Sequence, residues 1–255
     1  MPDTKDIQLQ IDKNRLPVHV AVIMDGNGRW ARRRGFTRTL GHEKGVNAVR
    51  NTVEMAAELG IGYLTLYAFS TENWKRPKFE VDALMRILVR SLRKEMKTLM
   101  DNNVRLLAIG DLESLPRKSR EDFRHAIAKT AGNTGLTLVL ALSYSARWEL
   151  VEAARKIARK AKAGELDPES IDDPLFSSFL ETARMPDPEL LIRTSGEFRI
   201  SNFLLWQIAY TEFYFTPTLW PDFGKDDFCR AILDFQGRER RFGRTSEQLN
   251  ETEAI

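Results

Sequence analysis

Cysteine is nearly absent. Cys229 is the only one in 255 residues, which excludes an internal disulfide and a CxxC metal knuckle and fits a reducing cytosol. Histidine is scarce as well, with three in all. No apolar run approaches the roughly 18–20 residues that a bilayer-spanning helix needs. The longest candidates, Leu136–Leu142 and Phe203–Tyr210, read as a buried strand and a core helix. The first ten residues, MPDTKDIQLQ, are polar and mildly acidic, unlike a secretory signal. There is no GxxxxGK[ST], so a P-loop is excluded, and neither internal repeats nor low-complexity segments occur.

What is present is core-forming material: 42% hydrophobic residues, with 14 Phe and 5 Trp, enough to fold one large domain. The net charge of +3 is small, but a pI near 9.0 and clustered arginines point to an anionic partner. Nucleic acid, a membrane surface and phosphorylated small molecules all satisfy that description.

Apolar strand-like runs at Val18–Met24, Tyr63–Phe69, Val104–Ile109, Leu136–Leu142, Leu190–Ile192 and Phe213–Phe215 alternate with helical patterns. The helical patterns cover His42–Leu59, Phe79–Asp101, Arg117–Ala131, Ala146–Ala163 and Asp226–Arg241. This alternation predicts an α/β domain over residues 16–243 with a central, mostly parallel sheet flanked by helices. Residues 1–15 and 244–255 are expected to be flexible termini. Ligands of open α/β sheets gather where the strands end, and three strands here end in polar loops.

The first loop reads DGNGRWA, Asp25–Ala31. It matches the glycine pattern of a dinucleotide fold, but the acid required about 20 residues later falls near Arg50 and Asn51, inside a helical pattern. Gly26 and Gly28 permit close backbone approach to an anion, and Arg29 and Arg38 add charge-assisted donors. Asp25 conflicts with a bare phosphate unless a divalent cation such as Mg²⁺ lies between them. A tight turn capped by Asp25 is the bland alternative. The second loop, FSTENWKRP (Phe69–Pro77), has the look of a helix start. The third, LIRTSGEFRIS (Leu191–Ser201), holds Arg193 and Arg199, with Ser201 placed to begin a helix and so to form a second anion site.

Together with WPDF and RERRFG, these stretches resemble the cis-prenyltransferases, and most closely bacterial undecaprenyl diphosphate synthases, from about Leu16 to Gly243. The resemblance implies Mg²⁺-dependent condensation of isopentenyl diphosphate onto an allylic diphosphate, usually farnesyl diphosphate. The expected product is a long polyprenyl diphosphate such as undecaprenyl diphosphate, the precursor of a cell-wall lipid carrier. It also implies a parallel sheet ringed by helices, an apolar tunnel, a homodimer, and a cytoplasmic protein with peripheral membrane contact.

Residue by residue, it assigns Asp25 as the metal-linked catalytic acid. Gly26, Asn27, Gly28, Arg29, Trp30, Arg38 and His42 surround the allylic diphosphate, and Ser70, Thr71, Glu72, Trp74 and Arg76 contact substrate. Asn73 aligns with the proton acceptor, although a neutral amide is a very poor base. Arg193, Arg199, Ile200 and Ser201 match the isopentenyl diphosphate site, and Glu212 a second metal ligand. Arg241-Phe242-Gly243 fits a tail that reaches the partner subunit. Phe198 stands where the family often has a His that contacts metal, so the metal is left to Asp25 and Glu212. Ser195 replaces a common Gly, and Leu142–Glu149 departs from the usual asparagine and glycines.

A nucleic-acid module is disfavoured because the arginines lie beside acids and at strand ends instead of along one face. The all-helical trans-prenyl synthases need DDxxD, and Asp172-Asp173 and Asp226-Asp227 lack the third acid. Intact Asp25, Asn73 and Arg193 argue against a purely scaffolding relative. The helix Phe79–Asp101 carries one apolar row through Val81, Leu84, Leu88, Leu92 and Leu99 and a second through Met85, Val89, Met96 and Met100. Two rows suggest that it both packs on the sheet and lines a tunnel, with Leu136–Leu142 as the opposite wall and Leu136 as a residue that limits product length.

Overall fold

The computed structural model describes residues 4–241, 245 and 248. Its centre is a six-stranded sheet of β1 (His19–Ile23), β2 (Tyr63–Ser70), β3 (Arg105–Ile109), β4 (Thr137–Tyr144), β5 (Leu190–Arg193) and β6 (Glu212–Phe215). The order is β3-β4-β2-β1-β5-β6, and every pairing is parallel. An all-parallel sheet must be covered on both faces, and β1 and β5 are accordingly buried at every position.

The helices are α1 (Thr4–Gln8), α2 (Asn27–Arg33), α3 (Arg38–Leu59), α4 (Lys78–Asp101), α5 (Arg117–Thr130), α6 (Ala146–Lys162), α7 (Asp173–Ser177) and α8 (Lys225–Gln236). Alternation along the strands sorts the core. Val20, Val22, Leu64, Leu66 and Leu138 face one side with α3, α4 and α8, while Ala21, Ile23, Val139 and Leu191 pack with Phe203 and Ile208 on the other. Tyr67 and Phe203 stack on this second face with ring centroids 4.3 Å apart.

Register brings the loops together. Ile23 lies opposite Arg193 and Arg193 opposite Phe215, so the chain leaves β1, β5 and β6 at the same rim. Irregular pairing near the end of β2, between Tyr67 and Ser70, locally re-aims that strand toward the same place.

Several expectations change. The helix expected to open at His42 begins at Arg38, capped by the Thr37 hydroxyl, which accepts from the Leu40 N–H. The last helix ends at Gln236, not Arg241. Phe203–Tyr210 is a run of turns, and Ser201 starts no helix. Ser201, Asn202 and Leu204 have φ of 49°, 60° and 49°, a left-handed backbone that cannot enter an α-helix. Within the expected flexible start, 1–15, Ile7 and Ile11 are buried in the core and α1 packs on α8. Phe242, Gly243 and most of 244–255 lie outside the described residues.

An apolar cavity of about 450 Å³ lies between α3 and α4 and the sheet. Leu88, Leu92 and Leu99 of the first row on α4 line it, whereas Met85, Val89, Met96 and Met100 of the second row do not. The wall from β4 is Leu138 and Leu140. Leu136, on the same face one step farther from the rim, is buried in the core instead.

Candidate active site

β1 delivers Asp25 to the rim, and the backbone there is tied on both sides. The Asp25 N–H donates to Thr194 Oγ1 at 2.9 Å, and the Thr194 hydroxyl donates to the Asp25 carbonyl at 2.6 Å. The Trp220 N–H donates to the same carbonyl at 3.0 Å. Gly26 then turns the chain with φ 108°, and a Cβ there would lie 2.9 Å from the Leu219 side chain and 3.1 Å from its Cα. A side chain is therefore opposed by both conformation and space. The loop expected as an anion nest is thus the N-terminus of α2, whose first-turn N–H groups have no intrahelical partner. At Gly28 a Cβ would lie 2.9 Å from Arg38 Nε, so the missing side chain leaves room for that guanidinium.

Around Asp25 the charges converge. Arg193 Nη2 donates to Asp25 Oδ2 at 2.9 Å, and Arg29 Nη2 lies 3.3 Å from the same oxygen. Arg193 is 3% exposed; its Nη1 donates to Ser201 Oγ at 2.7 Å and to the Arg199 carbonyl. Burial alone would raise the Asp25 pKa. Hydrogen bonds from Arg193 and Ser195, the Arg193 charge and the Gly26 amide outweigh it and hold the carboxyl below its usual range, so Asp25 is ionised at neutral pH.

From β2, Ser70 and Asn73 cap the 3₁₀ turn Thr71–Lys75, and the Ser70 N–H donates to Asn73 Oδ1 at 3.2 Å. Glu72 accepts from Asn202 Nδ2 at 2.8 Å. Arg76 pairs with Glu80 at 3.0 Å, and Arg38 approaches the same carboxylate at 3.5 Å. His42 lies beneath these cations, and burial first, then the Arg76 and Arg38 charges, push its pKa down to about 4. Among the described residues, His42 Nε2, Asn27 Oδ1 and Arg193 Nε are buried without a hydrogen-bond partner.

The structure thus brings Asp25, Ser70, Glu72, Asn73, Arg76, Arg193 and Ser201 around one polar cavity of about 450 Å³. Arg29 joins through Asp25 and Arg38 through Glu80, while Arg199 pairs with Glu197 at 2.5 Å beside it. Other assigned residues face elsewhere. Trp30 Nε1 donates to Asp222 at 2.6 Å, Trp74 Nε1 donates to Ser143 at 2.9 Å, and Ile200 packs on the second core. The Thr71 hydroxyl donates to Glu72.

Glu212 is not brought to Asp25 within the chain. It lies opposite Leu190 at the start of β6, three residues, or about 10 Å of strand, before the rim, and pairs with Arg238 at 2.9 Å. Exposed Phe198 packs on Phe215 with centroids 5.1 Å apart. No cluster of three His, Cys, Asp or Glu among the described residues forms a metal cage. A magnesium ion here would be held by Asp25 and substrate oxygens, which is that ion's common mode.

Sequence reasoning missed Asn202, Tyr67 and Glu80. Asn202 also accepts from the Arg147 N–H at 3.0 Å, tying the rim to α6. The Tyr67 hydroxyl donates to the Tyr144 carbonyl at 3.1 Å. Glu80 was legible only as the partner four residues after Arg76.

A parallel sheet whose rim gathers guanidinium groups around Asp25 and neighbouring carboxylates, beside an apolar cavity, is an α/β fold with an anion-binding site next to an apolar one. Residues 23–243 match the family described as "Putative undecaprenyl diphosphate synthase". Isoprenyl transferases of Heliobacterium mobile and Porphyromonas gingivalis are 55% and 57% identical, covering 94% and 92% of this chain and 93% and 92% of theirs. Two solved structures share the fold. A lavandulyl diphosphate synthase from Lavandula x intermedia in complex with dimethylallyl diphosphate has a TM-score of 0.89 at 43% identity, covering 91% of this chain and 100% of its own. A probable undecaprenyl diphosphate synthase from Campylobacter jejuni has 0.75 at 38%, covering 89% and 99%. The chain belongs to this isoprenyl transferase family, and is a prenyltransferase.

Proposed function

We propose that the protein condenses isopentenyl diphosphate units onto an allylic diphosphate, farnesyl diphosphate, to build a long polyprenyl diphosphate such as undecaprenyl diphosphate. What supports this reading is the adjacency of two cavities. The cationic one at the rim and the apolar one beneath α3 and α4 share Met24 in their walls. A ligand with a diphosphate head and a hydrocarbon tail fits that pair.

The residues divide the work. Arg29, Arg38 and the α2 amides hold the allylic diphosphate, and their donors stabilise charge as it leaves. Arg193, Arg199 and Ser201 hold the second diphosphate and convert an encounter into a positioned reaction. Asp25, kept ionised, would hold Mg²⁺ with the substrate oxygens. When bound, the ion neutralises charge on the leaving diphosphate. Asn73 positions the alkene, and the proton lost on condensation passes to the departing diphosphate, because the Asn73 amide oxygen is weakly basic and already accepts from the Ser70 N–H. Asn73→Ala should then lower kcat while circular dichroism shows an intact fold; an unchanged kcat would contradict the positioning role.

The test is incubation with farnesyl and isopentenyl diphosphates and Mg²⁺, followed by sizing of the lipid. A ladder of C5 additions supports the reading, and no incorporation refutes it. Asp25→Asn should reduce kcat by about 10²–10³-fold while circular dichroism shows an intact fold.

A further inference from the structure

The helices α3 and α4 run side by side away from the charged rim, and three ion pairs cross the seam between them. Arg38–Glu80, at 3.5 Å, belongs to the rim. Glu43–Arg90, at 2.7 Å, points outward, its side chains 39% and 67% exposed. The third, Arg50–Glu95, differs. Arg50 Nε donates to Glu95 Oε2 at 3.2 Å and Nη2 donates to Oε1, a two-pronged contact with fixed geometry. Its side chains are 35% and 20% exposed, and both residues line the apolar cavity. Farther along, Glu54 and Glu58 of α3 are held instead by Lys225 of α8, at 3.0 and 2.9 Å.

We infer that Arg50 and Glu95 form a clasp that ties the two helical walls of the cavity together and thereby sets the length of the product. This rests on the reading of that cavity as the prenyl site. The pair stands 12 residues past Arg38, about 18 Å down α3, where the tip of a growing chain must pass. It acts in two ways. It fixes the distance between α3 and α4, and so the cross-section open to hydrocarbon. It also places a charged bar beside the path, and stripping water from a charge costs more than burying one further isoprene unit returns. A half-buried pair still reached by water contributes little to stability, so the effect lies in product length.

The experiment sizes polyprenyl products from Arg50→Ala, Glu95→Gln and the charge-swapped Arg50→Glu/Glu95→Arg protein, at equal consumption of isopentenyl diphosphate, with thermal unfolding of each recorded. The clasp predicts that both single variants shift the main product longer by at least one isoprene unit and that the swap restores the original length. Unchanged or shortened products in the single variants overturn it. So does lengthening that the swap fails to reverse, or loss of turnover in all three proteins with the fold intact. If the unaltered protein makes no polyprenyl product, the prenyl-site reading itself fails, a result distinct from any failure of the clasp.

Discussion

Gly26 illustrates how little freedom single residues have at this rim. Its φ of 108° and the Leu219 backbone 3.1 Å from any added Cβ predict that Gly26→Ala costs roughly 1–3 kcal/mol, measurable by urea denaturation; an unchanged midpoint would contradict the geometry. Gly28 differs, because only the mobile Arg38 side chain crowds it, and Gly28→Ala should raise KM for the allylic diphosphate more than it lowers stability.

His19 carries a residue-scale pH effect. Burial lowers its pKa to about 4, against smaller opposing contributions from its bond to the Pro186 carbonyl and the Glu189 charge. Its neutral ring places Nδ1 2.7 Å from that carbonyl and Nε2 2.7 Å from Thr65 Oγ1. The unfolded chain takes up a proton near pH 6.5 and the folded one only near pH 4. Stability is therefore full above about pH 6.5 and declines as pH falls toward 4, by on the order of 3 kcal/mol from this group. Denaturant titrations at pH 7.5 and 4.5 check the sign, and His19→Asn should flatten the slope.

At the scale of elements, α4 and β4 face each other across the apolar cavity. Leu140 lies nearer the rim than Leu138, so Leu140→Trp should shorten the product, whereas the same change at Leu136 should chiefly destabilise the core. Equal shortening at both positions would contradict the wall described here. Much of this was legible in the chain. Apolar strands ending in DGNG, STEN and RTSG located the rim, because a parallel sheet sends such loops to one edge. The double apolar row on α4 was less informative, since periodicity reports burial without telling a tunnel from a helix interface. Phe203–Tyr210 was illegible for another reason. Its hydrophobicity suits a core helix, but left-handed Ser201, Asn202 and Leu204, stabilised by Asn202 bonds to Glu72 and α6, override that pattern. Glu212, which the resemblance makes a metal ligand, could not be located from the sequence because sequence order carries no register: only the pairing with Leu190 puts it at the far end of its strand.

For the whole molecule, one division of labour organises the sheet. Its rim concentrates guanidinium groups paired with Asp25, Glu80 and Glu197, and the cavity under α3 and α4 is mostly apolar, so one ligand can be held by its charge at one end and its hydrocarbon at the other. No helix among the described residues is long and apolar enough to cross a membrane; in the proposed reaction the hydrocarbon of the product lies in the cavity under α3 and α4. The most direct measurement is a crystal structure with Mg²⁺, isopentenyl diphosphate and a non-reactive farnesyl diphosphate analogue. Both diphosphates are expected at the rim, one on Arg29 and the α2 amides and one on Arg193 and Ser201, with the farnesyl tail passing Met24 between α3 and α4. A tail lying outside that cavity, or a diphosphate bound away from Asp25 and Arg193, would contradict it.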